Sequence, residues 1–488
     1  MLGLVTTVVA RAQLPRLSDG LTLSAEGGTT LSDGDFAPLW LTANRQGIVS
    51  PYASSGYERI GMSRSVSTDS LWEWRIGYGL DLQLNQNAQS DFFVQQAYAE
   101  AEWKCLRLTV GQKERSIDLR NNALTSGGLS QGINARPLPE VLLNVDYVDV
   151  PGTKGWAKVR GRIGYGIVSD GAWQRAWVAD RQTLRYTSNY LYHEKAGYLK
   201  LGREEAQLPM TFEAGLQMMT QFGGTNYNTY GRTIDGTSNI HNSEGLKDYW
   251  NAFWPFGSSD VTDGTMHNVK GNMLGSWNMA LTWHGKGWMA RGYFERYFDD
   301  HSQLFIQYGF TDHLLGAEVQ LPRNPFVTGI VIEHLSTADQ SGAVYHDHTP
   351  SMPETIAARD NYYNHNLYSG WQAWGMSMGS PLLTSPIYNK EHRLTFANNR
   401  VRAWHFGLSG DPSASFSWRA LLTLSQGWGT YEKPLDDVAH ETHLLMEATY
   451  RPVWAEGWSG TLATGLTRSP LMGNSNGFQL TVRKLLHL

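Results

Sequence analysis

The segment Leu71–Asn85, LWEWRIGYGLDLQLN, alternates apolar and polar residues along its whole length. Trp72, Trp74, Ile76, Tyr78, Leu80, Leu82 and Leu84 share one face. Glu73, Arg75, Gly77, Gly79, Asp81, Gln83 and Asn85 share the other. A period of two is that of a β-strand with unlike faces. The run is far longer than the ~5–6 residues usual for a soluble strand. It exceeds the ~9–11 tilted residues that cross a bilayer at ~3.3 Å each. Such a strand points to an outer-membrane β-barrel, with apolar side chains on lipid and polar ones on the lumen. Trp72 and Trp74 then fall at the inner membrane interface.

Other runs repeat the pattern. Met210, Phe212, Ala214, Leu216, Met218 and Phe222 alternate with Thr211, Glu213, Gln217 and Gln221. Trp277, Met279, Leu281 and Trp283 alternate with Asn278, Thr282 and His284, and Phe416–Ser425 behaves likewise. The mean hydropathy of −0.38 is compatible with a barrel, because only alternate strand residues need be apolar. No run of ~18 apolar residues is present, so helical membrane spans are excluded. Lys and Arg number 40 against 45 Asp and Glu, a net charge of −5 that offers no basic patch to nucleic acid. The 19 Trp and 23 Tyr suit interfacial girdles or sugar-stacking surfaces. The lone Cys105 has no partner for an internal disulfide and reads as a small packed residue.

The alternating runs predict an all-β transmembrane antiparallel barrel of about 18 strands, with short periplasmic turns and long extracellular loops. The first strand is expected near 36–47 and the last at 476–487. Residues 1–12 read as a truncated signal peptide with an Ala10-Arg11-Ala12 cleavage pattern. Residues 13–35 read as a periplasmic lead-in, and 36–488 as a single barrel. Long outer loops are expected at 113–139, 168–190, 224–270, 299–312, 336–400 and 426–440. A soluble sandwich or propeller also alternates, but seldom with strands so long and Trp-rich.

The longest loops mix aromatic rings with amides. Tyr227, Tyr230, Tyr249, Trp250 and Trp254 lie among Asn residues, and DNYYNHNLYSGWQAW at 360–374 adds Tyr362, Tyr363, Tyr368, Trp371 and Trp374. Sugar rings have apolar faces and polar rims, so these ten are candidate polysaccharide contacts. The competing reading is that they pack the loops or anchor at the interface. Glu73, Arg75, Asp81, Lys158, Arg160, Arg162, Arg291 and Glu295 are expected to line the lumen, with Glu213, Glu318 and Arg419, either pairing across strands or lining an aqueous pore. His346-Asp347-His348 could bind zinc only with further ligands, so no metal is expected. GWGTY at 427–431 and GYGIVSDG at 164–171 lack the strand–helix setting of phosphate loops. No catalytic spacing and no cofactor motif emerges.

Motifs spread along the chain resemble the Wzi family of capsule assembly outer-membrane proteins, in the form found in Bacteroides-like bacteria. They include FAPLWLTANRQG at 36–47, FFVQQAYAEAEW at 92–103, LTVGQKE at 108–114, LTSGGLSQGINARPLPEV at 124–141 and VPGTKGWAKVRGRIGYG at 150–166. VIEHLSTADQSG at 331–342, DNYYNHNLYSGWQAWGMSMGSPLL at 360–383, HFGLSG at 405–410 and TLSQGWGTY at 423–431 continue the series. The resemblance implies an 18-stranded barrel that holds capsular polysaccharide at the cell surface, a lectin-like anchor and not an enzyme. The chain departs from the family in its long loops at 224–270 and 336–400 and in its terminal Leu488.

The leading expectation is therefore an outer-membrane protein that binds capsular or extracellular polysaccharide, a monomer in outer-membrane lipid with no cofactor and no nucleic-acid partner. The alternative is a porin or transport channel, and a rim hydrolase ranks third. The state of the lumen discriminates the first two.

Overall fold

The computed structural model describes residues 17–69, 73–178, 184–229, 239–254, 271–299, 304, 310–344 and 356–488. Eighteen strands form one closed antiparallel sheet in which each strand pairs with its neighbours in sequence. They are β1 (Leu21–Ser32), β2 (Ser55–Arg64), β3 (Trp74–Gln86), β4 (Phe92–Trp103), β5 (Leu106–Gln112) and β6 (Pro139–Asp149). β7 (Ala157–Val168), β8 (Tyr190–Gly202), β9 (Met210–Phe222), β10 (Asn272–His284), β11 (Met289–Asp299) and β12 (His313–Gln320) follow. β13 (Gly329–Ser336), β14 (Val401–Ser413), β15 (Phe416–Gly429), β16 (Pro434–Tyr450), β17 (Trp458–Arg468) and β18 (Ser475–His487) complete the wall. β1 pairs with both β2 and β18, which closes the barrel and leaves no sheet edge.

The alternation seen in β3 holds in three dimensions. Trp74, Leu80 and Leu84 are exposed on the outer face, while Gly77, Gly79, Asp81 and Gln83 are buried on the inner one. The same parity exposes Leu108, Val110, Val141, Leu143, Leu199, Leu201, Leu281, Ile332, Trp404, Leu408, Leu480 and Val482. This apolar belt is the surface that meets acyl chains, and the protein is an outer-membrane β-barrel. At the short-turn end, Trp74, Trp156, Trp283, Trp288, Trp454 and Trp458 are exposed. Trp74 stacks on Trp103 at 5.9 Å, as an interfacial girdle residue should. Leu71 and Trp72 lie outside the described residues.

Two expectations about boundaries are corrected. The first strand is Leu21–Ser32, inside the stretch assigned to a periplasmic lead-in. Its outward residues include Ala25, Gly27 and Thr29, so the alternation is faint. Gly28 faces the lumen, where a Cβ would strike the Tyr57 ring. The segment 36–47 enters the lumen instead, through one helical turn, α1, at Leu39–Thr42. Its run is apolar because Leu39, Trp40 and Leu41 are wholly enclosed. The expected loop at 426–440 is also a tight turn, since β15 ends at Gly429 and β16 begins at Pro434. The proposed signal segment, residues 1–12, lies outside the described residues.

Candidate functional site

The polar inner face of the wall is occupied by two segments that turn into the lumen, 33–54 and 113–138. In the first, Leu39 N donates to Thr467 Oγ1 at 2.9 Å and Trp40 Nε1 to Thr423 Oγ1 at 3.1 Å. Arg45 pairs with Glu447 at 2.5 Å, and Gln83 Nε2 donates to Ile48 O at 2.7 Å. The second segment reaches the opposite side. Asp118 accepts from Arg160 at 2.8 Å and Arg162 at 2.6 Å. Arg120 donates to Glu295 at 2.8 Å, and the Leu129 and Ser130 amides donate to the same carboxylate at 2.9 and 3.0 Å. Glu333 accepts from Thr125 Oγ1 at 2.6 Å and from the Ser126 amide at 2.7 Å. Arg115 clamps Glu194 at 2.5 Å, and Arg136 stacks its guanidinium over Phe93 at 3.3 Å. Buried loop backbone needs such partners, because no water reaches its donors. Together the two segments bond to strands on every side of the wall, so the lumen is plugged.

The lumen-lining candidates follow this arrangement. Asp81 pairs with Arg59 at 2.5 Å, Arg75 with Glu102, Lys158 with Asp149 at 3.3 Å and Arg291 with Glu318 at 3.4 Å. Arg160 also donates to Glu213 at 2.8 Å, and Arg419 to Glu447 at 2.8 Å. Glu295 and Arg162 hold the plug. Glu73 is exposed at the short-turn rim, just before β3. Glu194 and Glu333, missed in the sequence reading, are equally central. Strand parity could have found them, since Leu199 and Leu201 face out and Glu194 must face in.

The aromatic candidates separate into four groups. Tyr362, Tyr363, Tyr368 and Trp371 are only 1–2% exposed and offer no face to a sugar, which corrects the expectation for them. They pack a cover, 360–400, onto the plug and wall. Trp371 Nε1 donates to Ser130 O at 2.8 Å and Tyr368 to Gly223 O at 3.2 Å. Tyr363 donates to Leu129 O and accepts from the Ser380 amide at 2.9 Å. Gly379 is required there, because a Cβ would collide with Leu129 O and the Tyr363 hydroxyl. Trp374 is partly exposed and meets Phe93 edge-on at 5.0 Å. Tyr227, also partly exposed, stacks flat on Tyr186 at 4.5 Å in a small sheet of 186–188, 225–227 and 240–241 above the wall. Tyr249, Trp250 and Trp254 belong to helix α2 (Leu246–Phe253) and its C-cap. Tyr230 lies outside the described residues, as does His346-Asp347-His348.

Two carboxylates beneath the cover have shifted protonation. Burial pushes Asp170 up to about 6, against the opposing bonds from the Trp374 amide and Gln174. Asp170 thereby ties the end of β7 to the cover, with Trp374 N at 2.7 Å. Burial also pushes Asp312 up, where it accepts from Tyr362 at 2.9 Å.

A cleft of about 550 Å³ lies between the plug and β1–β4 and β16–β18. Strand residues near the short-turn ends, such as Ser63 and Arg483, line it, as do Gln46, Val49 and Glu114 of the plug. Its central Arg59 is neutralised by Asp81 at 2.5 Å, Glu114 at 3.3 Å and Glu26 at 3.6 Å. Among the described residues no group of His, Cys, Asp and Glu could hold a metal ion.

No family model matches the chain, and no curated protein matches it. Solved structures do. Wzi, an outer-membrane protein involved in group 1 capsule assembly in Escherichia coli and a carbohydrate binding beta-barrel, aligns with a TM-score of 0.56 at 12% identity. The alignment covers 96% of this chain and 84% of that one. OccK5 of Pseudomonas aeruginosa aligns at 0.47 and 9% identity over 96% and 98% of the two chains. OprD of the same organism aligns at 0.45 and 9% identity over 96% and 95%. At 12% identity the likeness to Wzi is one of fold, a closed outer-membrane β-barrel such as the 18-stranded one described above.

Proposed function

We propose that this protein is a monomeric surface anchor, whose extracellular face holds capsular or extracellular polysaccharide to the outer membrane. It acts neither as an enzyme nor as a transport channel. The observation that carries this reading is the plugged lumen. Glu295, Glu333, Glu194, Arg160 and Arg162, which could have lined a pore, are spent on fixing the 113–138 segment. The carbohydrate-binding Wzi barrel, similar in fold, supports the same reading. Tyr227 and Trp374 keep partly accessible rings on the extracellular side and are the candidate sugar platforms.

The test is deletion of the gene in an encapsulated host. Polymer is then still synthesised but shed into the medium; unchanged retention on cells refutes the reading. Replacing Tyr227 and Trp374 by Ala weakens binding of purified polymer roughly 2- to 10-fold per ring, the loss of about 0.5–1.5 kcal/mol of aromatic stacking. Steady conductance of the purified protein in a planar bilayer favours a channel instead.

A further inference from the structure

Helix α2 is placed by its contacts on the outside of the barrel. Tyr165 on β7 donates to Tyr249 O at 3.0 Å. His193 and Lys195 on β8 approach Phe253, with the Lys195 ammonium 4.5 Å over its ring and bonded to its carbonyl. Thr220 on β9 donates to Ala252 O at 3.3 Å, and Phe222 meets Tyr249 edge-on at 5.1 Å. Each of these strand residues has outward parity. His193 and Lys195 share the face of the exposed Leu199 and Leu201, Tyr165 that of Val159, and Thr220 that of Phe212. The pairings of β7, β8 and β9 run between them without a register shift. The helix therefore covers the extracellular end of the outer wall. It shields a Lys and a His that would otherwise stand on the membrane side, and Lys195 caps its C-terminal carbonyls.

The other side of the helix is unlike its packed side. Leu246 is 91% exposed, Trp250 62% and Trp254 50%. Positions 246, 250 and 254 fall on one stripe of a helix, with exposed Lys247 beside it. Trp250 and Trp254 stack at 6.4 Å and 10°. The stripe lies on the outward side of the same strands whose outward residues Phe212, Leu199 and Leu201, nearer the short-turn end, are exposed to lipid. We propose that α2 is an interfacial helix, which sets Leu246, Trp250 and Trp254 into the outer leaflet of the surrounding bilayer, with Lys247 at the anionic headgroups. Continuity with the lipid-facing wall selects a lipid surface as the occupant. Trp, Leu and Lys on one exposed stripe suit the headgroup–acyl boundary. Trp250 and Trp254 then serve as membrane contacts and not as sugar platforms.

The experiment uses the full chain with Cys105→Ser, reconstituted in vesicles of phosphatidylethanolamine and phosphatidylglycerol. A fluorophore is attached at Leu246→Cys, with Glu391→Cys on the exposed cover as the comparison site. Heat-modifiable gel migration verifies folding, and Lys247→Cys gives a second reporter. The expected result is loss of emission to lipids carrying a shallow nitroxide, together with protection from aqueous iodide, at 246 and 247 but not at 391. Quenching of 246 and 247 by iodide and not by nitroxide lipid overturns the proposal. Shielding of those labels by added polysaccharide, without lipid quenching, assigns the stripe to sugar and overturns it too.

Discussion

Replacing Glu295 by Ala should unlock the plug. The carboxylate is buried on β11 and accepts from Arg120, from the amides of Leu129 and Ser130, and from Ser130 Oγ at 3.2 Å. These donors come from two places in one loop, so a single side chain fixes both its descent and its return. Charge-assisted bonds contribute about 1.5–3 kcal/mol each, though not additively. The dominant cost is Arg120, left buried without its counter-ion, at about 3–5 kcal/mol. At ~1.4 kcal/mol per decade, the closed-to-open equilibrium of the plug falls by roughly two to three and a half orders of magnitude. Single-channel recording in a planar bilayer should change from a silent baseline to frequent open events. Glu295→Gln keeps the shape and part of the bonding, and should lie between the two. A silent Glu295→Ala barrel with unaltered protease resistance in the 113–138 loop would refute the assignment of this carboxylate as the lock.

Tyr363→Phe removes the hydroxyl that joins cover to plug and leaves the Leu129 carbonyl and Ser380 amide unpaired, at a cost of about 1–3 kcal/mol; limited proteolysis within 360–400 should accelerate while the barrel stays folded. The Asp170 contact should respond to pH. Its folded value of about 6 stands above the ordinary 3.8, so the fold favours the protonated acid. Its contribution is greatest below the ordinary value and declines as pH rises through about 4 to about 6. The unfolding temperature should rise as pH falls across that window, and Asp170→Asn should remove this part of the rise. Glu333→Ala should mimic Glu295→Ala in bilayer recordings, because it frees the Thr125–Ser126 turn of the same loop.

The wall was legible because lipid and lumen impose opposite demands on alternate residues. β3 and β9 wear that contrast openly. β1 does not, since Ala25, Gly27 and Thr29 occupy the middle of its outward face and Gly28 must make room for Tyr57. The segment 36–47 misled for the complementary reason: enclosure inside a barrel makes a loop as apolar as a strand. Periodicity also placed Asp81, Arg160 and Glu295 on the inner face. It could not tell that Arg160 and Glu295 would find the loop partners Asp118 and Arg120, because a plug is specified by shape and not by period. Aromatic composition was the poorest guide. Tyr362, Tyr363 and Trp371 are structural, and only contacts from β7, β8 and β9 place Trp250 on the outer wall.

The junction of β1 with β18 bears on how such a chain assembles. It unites segments separated by more than four hundred residues, as in the bond from the Asn476 amide to Asp33, 443 positions apart. Ring closure at that span carries a large entropic toll, and until it forms the curled sheet has two raw edges. The segment just after β1 also reaches the far strands from within, through Leu39 to Thr467, Trp40 to Thr423 and Gln479 to Leu41. The inner filling therefore works as a mandrel. It draws the last strands toward the first and shortens the search for the final pairing. Substitutions in Leu39–Leu41 would then slow maturation of the barrel more than they lower its eventual stability.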